Sequence, residues 1–70
     1  MKREDFEKEF SNDHRCKVKY RNRDGRTAFG IALDRVQKSL TGNLFVCVDS
    51  FVNRVKLSDI ISIENTGREW

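Results

Sequence analysis

The chain has 70 residues, no proline, 14 Lys and Arg against 11 Asp and Glu, and a formal net charge of +3. That length supports one domain with a small core and a thin stability margin. Apolar residues make up 37% and charged residues 36%, but the apolar ones are clustered, which excludes a disordered polymer, and the longest apolar run, Leu44 to Val48, is far short of the roughly 20 residues that span a bilayer. No basic-then-apolar start suggests a secretory signal. Two cysteines, rather than the several of a small secreted domain, point to the cytoplasm.

Residues 1–13 are predicted to hold a short acidic helix. Phe6 and Phe10 share one helical face, and Glu4, Asp5, Glu7 and Glu9 suit its N-terminal half. So short a helix must dock through its two phenylalanines or fray. From Arg15, Cys16, Val18 and Tyr20 alternate with Lys17, Lys19, Arg21 and Arg23, the period of a half-buried strand. Asp24-Gly25 predicts a hairpin turn. In the following strand Phe29, Ile31 and Leu33 fall on one face and Ala28, Gly30 and Ala32 on the other, and Gly30 marks a bend or a close backbone approach. Residues 33–40 fit either a helix, through Leu33, Val36 and Leu40, or a curved continuation of the strand. Leu44 to Val48 reads as a buried strand. Phe51 to Leu57 alternates again, Ser58-Asp59 makes a tight or 3₁₀ turn, and Ile60 to Glu64 is a last strand. Residues 65–70 are expected to be a loose tail, with Trp70 either docked at an edge or exposed.

The expected fold is therefore mainly β: a small antiparallel barrel of four or five strands over residues 14–64, closed because closure removes unpaired edges. Its expected core is Phe6, Phe10, Val18, Tyr20, Phe29, Ile31, Leu33, Leu44, Val46, Val48, Val55, Leu57, Ile61 and Ile63. The order of elements, with Val18-x-Tyr20, Asp24-Gly25-Arg26, Gly30 before Ile31 and Leu33, and Asn43-Leu44, resembles the SH3-like barrels, Sm-like proteins in particular. The family's second motif, an apolar residue followed by Arg-Gly or Lys-Gly, is absent; Arg54-Val55-Lys56 stands nearby without a glycine. The resemblance implies an RNA-binding barrel.

The basic stripe is the main functional signal. Residues 15–26 carry Arg15, Lys17, Lys19, Arg21, Arg23 and Arg26 against the single acid Asp24. Alternating strand positions repeat about every 6.6 Å, a scale comparable to the phosphates of an extended nucleic-acid strand. Lys17, Lys19, Arg21, Arg23 and Arg26 are the candidate phosphate ligands, with Arg35 and Arg54 assisting. Phe51 and Trp70 are candidate stacking or interface positions. The plainer reading is a solvated face that keeps an edge strand from pairing with other chains. Residues 1–13 hold three basic and five acidic side chains, so the helix hides part of the stripe's charge in the total. It is a candidate docking surface, or a shield against non-specific polyanions.

The expected function is a non-enzymatic nucleic-acid-binding module, with RNA or a single strand preferred to duplex DNA and no membrane partner. The alternative is a small regulator that docks on a larger nucleic-acid enzyme, or on a copy of itself. His14 and Cys16, with only Cys47 to add, are too few for a metal site, and no cofactor is expected. His14, Tyr20 and Arg21 are what a small ribonuclease would use, but the inward-facing Tyr20 argues against it. Cys16 and Cys47 are expected as buried free thiols.

Overall fold

The structure, a computed structural model, describes residues 1–70. Helix α1 spans Arg3–Glu9, with Glu4 and Asp5 in its first turn and Lys8 in its last, as the helix dipole favours. Phe6 is completely buried, and Phe10, already extended, stacks on it with ring centroids 5.8 Å apart. No helix is long and apolar enough to cross a membrane.

The rest is mainly β. Strands β1 (His14–Arg21) and β2 (Thr27–Ala32) pair with the last strand in one antiparallel sheet. Strands β3 (Gln37–Lys38), β4 (Leu44–Cys47) and β5 (Arg54–Lys56) form a second. A 3₁₀ turn, Leu57–Asp59, leads from β5 into β6 (Ile60–Glu69). The sheet orders are β2-β1-β6 and β3-β4-β5. The expected closed barrel does not form. The sheets are joined at one corner, where Ala32 bridges Val48. There the Leu33 N–H donates to the Cys47 carbonyl at 2.9 Å, and the Asp49 N–H donates to the Ile31 carbonyl at 2.9 Å. The Asp49 carboxylate in turn accepts the Ile31 N–H at 2.8 Å. Between the sheets lie Cys16, Val18 and Ala32 from the first and Val46, Val48 and Val55 from the second, with Phe6, Val36, Leu57 and Ile60 closing the core.

Strand β2 presents the opposite face from the one expected. Cys16, Val18 and Tyr20 sit opposite Ala32, Gly30 and Ala28, and this is the inward row. Lys17 and Lys19 sit opposite Ile31 and Phe29, which are therefore outside, and Phe29 is 57% exposed. The cause is space. A Cβ at Gly30 would clash with the Val48 side chain and lie 2.7 Å from the Asp49 carboxylate, so only small residues fit where the second sheet presses on β2. Gly30→Ala is expected to cost about 1–3 kcal/mol by overpacking, read as a lower urea midpoint. An unchanged midpoint would show that the corner yields freely.

Ile61, also expected in the core, is 45% exposed; it stands at the β1–β6 irregularity, where Lys19 pairs with Ser62 but Tyr20 with Ile60. Residues 33–40 are neither helix nor continuous strand. A bend at Asp34–Arg35 leads to the two residues of β3, Val36 is buried and Leu40 fully exposed. The expected loose tail is instead the end of β6, which pairs Glu69 with His14. It passes a bulge where Gly67 has φ +71° and the Thr66 hydroxyl donates to the Arg15 carbonyl at 2.7 Å. Trp70 is half-exposed, and its indole N–H donates to the Asn12 carbonyl at 3.0 Å.

Candidate nucleic-acid interface

Strand β1 positions the stripe. Its inward residues are fixed by the core, so Arg15, Lys17, Lys19 and Arg21 must project from the other face. The strand is the centre of its sheet, with β2 on one side and β6 on the other, so these cations guard no edge. The strand ends at Arg21, and Arg23 and Arg26 stand in the turn that follows. Asn22 shapes that turn: its side-chain carbonyl accepts the Asp24 and Arg26 backbone N–H groups at 3.0 and 3.1 Å.

The turn forms one wall of an open groove whose other wall is β5. Arg21 and Arg23 line it from one side and Arg54 and Lys56 from the other, with Tyr20 and Asn53 between; Asp24 and Asp59 are its acids. Arg54 thus borders the same groove as Arg21 and Arg23. Its guanidinium lies over the Phe45 ring, 4.9 Å from the centroid, on the side where Arg54 and Phe45 border a separate hollow with Gln37 and Lys38. Arg35 is exposed on the bend after β2 and does not line that groove. Phe51 is exposed in the turn between β4 and β5. Trp70 lies at the far end of β1, beside Asn12.

The acidic helix does not neutralise the stripe. The one ion pair in the chain joins Arg3 to Glu7 within the helix, at 3.8 Å. Glu64 stands opposite Lys17 across the β1–β6 ladder without pairing to it. No carboxylate forms an ion pair with the stripe's cations.

Phe29 is the outward residue that the sequence reading missed. It sits directly opposite Lys19, and the Lys17 ammonium lies 4.8 Å from its ring centroid. The available signal was the row of small residues Ala28, Gly30 and Ala32 on the other face.

The ribonuclease constellation does not assemble. His14 and Tyr20 stand six positions apart in one extended strand, about 20 Å. No group of three or more His, Cys, Asp or Glu residues gathers as a metal site. Cys16 and Cys47 are free and buried. Burial pushes the Cys47 thiol up; the nearby Arg54 charge works against this, and Asp34 adds to it. The folded protein thus holds this proton more tightly than the unfolded chain does. Stability is unaffected on the acid side of the thiol's ordinary value and falls as pH rises through it. Cys47→Ala is expected to flatten the alkaline part of the stability profile, measured by urea unfolding from neutral to alkaline pH. An identical slope in both proteins would remove Cys47 as its source.

Comparison with protein-family models, curated proteins and solved structures finds no match to this chain.

Proposed function

We propose that the protein is a non-enzymatic nucleic-acid-binding module that tracks the phosphates of RNA or a single strand. The observation that carries this reading is the row of Lys17, Lys19 and Arg21 on the outer face of a central strand, continuing at Arg21 into a groove lined by Arg23, Arg54 and Lys56. A central strand needs no charged guard against edge pairing, so the plainer purpose of such a row is missing. Cations without carboxylate partners exchange small counterions for phosphates at little cost. We further read the two corner-joined sheets as an opened form of the SH3-like, Sm-like plan. The leading helix, the short antiparallel strands and the glycine in β2 where the second sheet comes close support that reading.

If about four cations contact phosphates, the logarithm of the binding constant should fall with that of salt concentration with a slope of about −3 for a single strand. Fluorescence anisotropy of a labelled single-stranded RNA across a salt series tests this. Absence of binding at low salt, or a flat salt response, would overturn the proposal.

The second reading is the regulator that docks on a larger nucleic-acid enzyme or on its own copy. It draws support from the neighbouring exposed side chains Phe51 and Val52 in the β4–β5 turn, which suit an apolar contact with a protein. A specific partner retained after nuclease treatment and lost with Phe51→Ser would favour it.

A further inference from the structure

We infer that Phe29 is the base-stacking position of a single-stranded nucleic-acid site whose phosphates are held by Lys17, Lys19 and Arg21. This rests on the polyanion reading above and adds to it an element that reads unpaired bases.

Phe29 stands on the outer face of β2, the edge strand next to the cation row, and more than half of it is exposed. Strands lie about 4.8 Å apart, so its ring sits beside the row rather than in it. A nucleotide has the same layout, with its base to one side of its phosphate backbone. The neighbours divide the work. Lys19 is directly across the ladder from Phe29, and Lys17 caps the ring with its ammonium. A cation–π contact at an exposed site is weak, about 0.5–1 kcal/mol, and a phosphate attracts the same ammonium. When Lys17 turns to a phosphate, the ring face it covered is free for a base.

The other aromatic residues lack this setting. Phe45 is buried beneath Arg54, Trp70 is tied by its indole N–H at the far end of β1, and no cation lies over the Phe51 ring. The charge of the face selects a polyanion, and the ring selects among polyanions. In a duplex the bases are stacked inside and present only their edges in the grooves, so the ring has nothing to stack on. An unpaired base has a free π face.

The test compares a labelled oligouridylate with a duplex RNA of equal length by fluorescence anisotropy, for the wild type, Phe29→Ala, Phe29→Leu and Phe29→Tyr. Phe29→Ala should weaken single-strand binding by about tenfold or more, the usual loss for one stacked base, and leave duplex binding and the salt slope unchanged. Phe29→Leu keeps apolar bulk at the position without a π face and should lose as much; Phe29→Tyr should bind as the wild type does. Equal losses on single strand and duplex, full single-strand affinity in Phe29→Ala, or full affinity in Phe29→Leu would overturn the inference while leaving the phosphate-tracking proposal standing. A wild type that binds neither nucleic acid would overturn both.

Discussion

Phe6→Ala is expected to cost about 3–5 kcal/mol, the usual loss for emptying a buried phenylalanine site. A 70-residue domain has a total stability of roughly 4–10 kcal/mol, so this one change removes between about a third and all of it. The reason lies in how the helix is held. α1 has seven residues, too few to persist by backbone hydrogen bonds alone. Phe6 is its one fully buried side chain and belongs to the cluster between the sheets. Phe10 stacks on Phe6 but is only half-buried, so Phe10→Ala should cost about 1 kcal/mol on the area it covers. Urea unfolding followed by far-ultraviolet circular dichroism measures both. Similar losses for the two variants would mean that the helix is held by its rim rather than by its anchor.

The two phenylalanines show what the sequence could specify. Spacing of four placed them on one face, and docking followed from the helix's shortness. The alternation from Cys16 to Tyr20 likewise gave β1 its inward row. For β2 the same rule failed, because alternation defines two faces without saying which is inside. Size favoured Phe29, Ile31 and Leu33 as the core face. The structure chose Ala28, Gly30 and Ala32, because Val48 and Asp49 occupy the space where larger side chains would stand. Gly30 already signalled a close approach, and it lies in the same row as the two alanines. The tail was misread for a related reason: Asn65, Thr66 and Gly67 have loop composition, yet they build a bulge within a strand whose partner lies some fifty residues earlier.

The candidate interface divides along the same line. Lys17, Lys19 and Arg21 belong to one strand, so their common face is a local property and legible from period alone. Arg54 and Lys56 line the groove only because the β1–β2 turn faces β5 across it, a long-range arrangement that no local pattern encodes. Phe29 entered the face through the inversion of β2. The charge of the interface was therefore readable in the sequence, while its shape and its aromatic element depended on how the sheets pack.

The largest expected effect on binding follows from reversing the centre of the row. Lys19→Glu with Arg21→Glu should lower affinity for single-stranded RNA by about 100-fold at low salt, two charge-assisted phosphate contacts at roughly 1.5 kcal/mol each. The salt slope should become shallower by about 1.4, as two fewer phosphates are neutralised. The fold should survive, because both side chains project outward from a strand whose inward residues are untouched. Lys2→Glu with Lys8→Glu makes the same change in net charge on the exposed face of the helix. Attraction through net charge reaches about 30 Å at about 0.01 M salt but only about 10 Å at about 0.1 M, so in about 0.1 M salt this control should bind nearly as the wild type does. Equal losses in the two double variants would show that net charge, not the β1 row, governs association. Loss confined to Lys19→Glu/Arg21→Glu, with a shallower slope, ties binding to phosphate contacts on that strand.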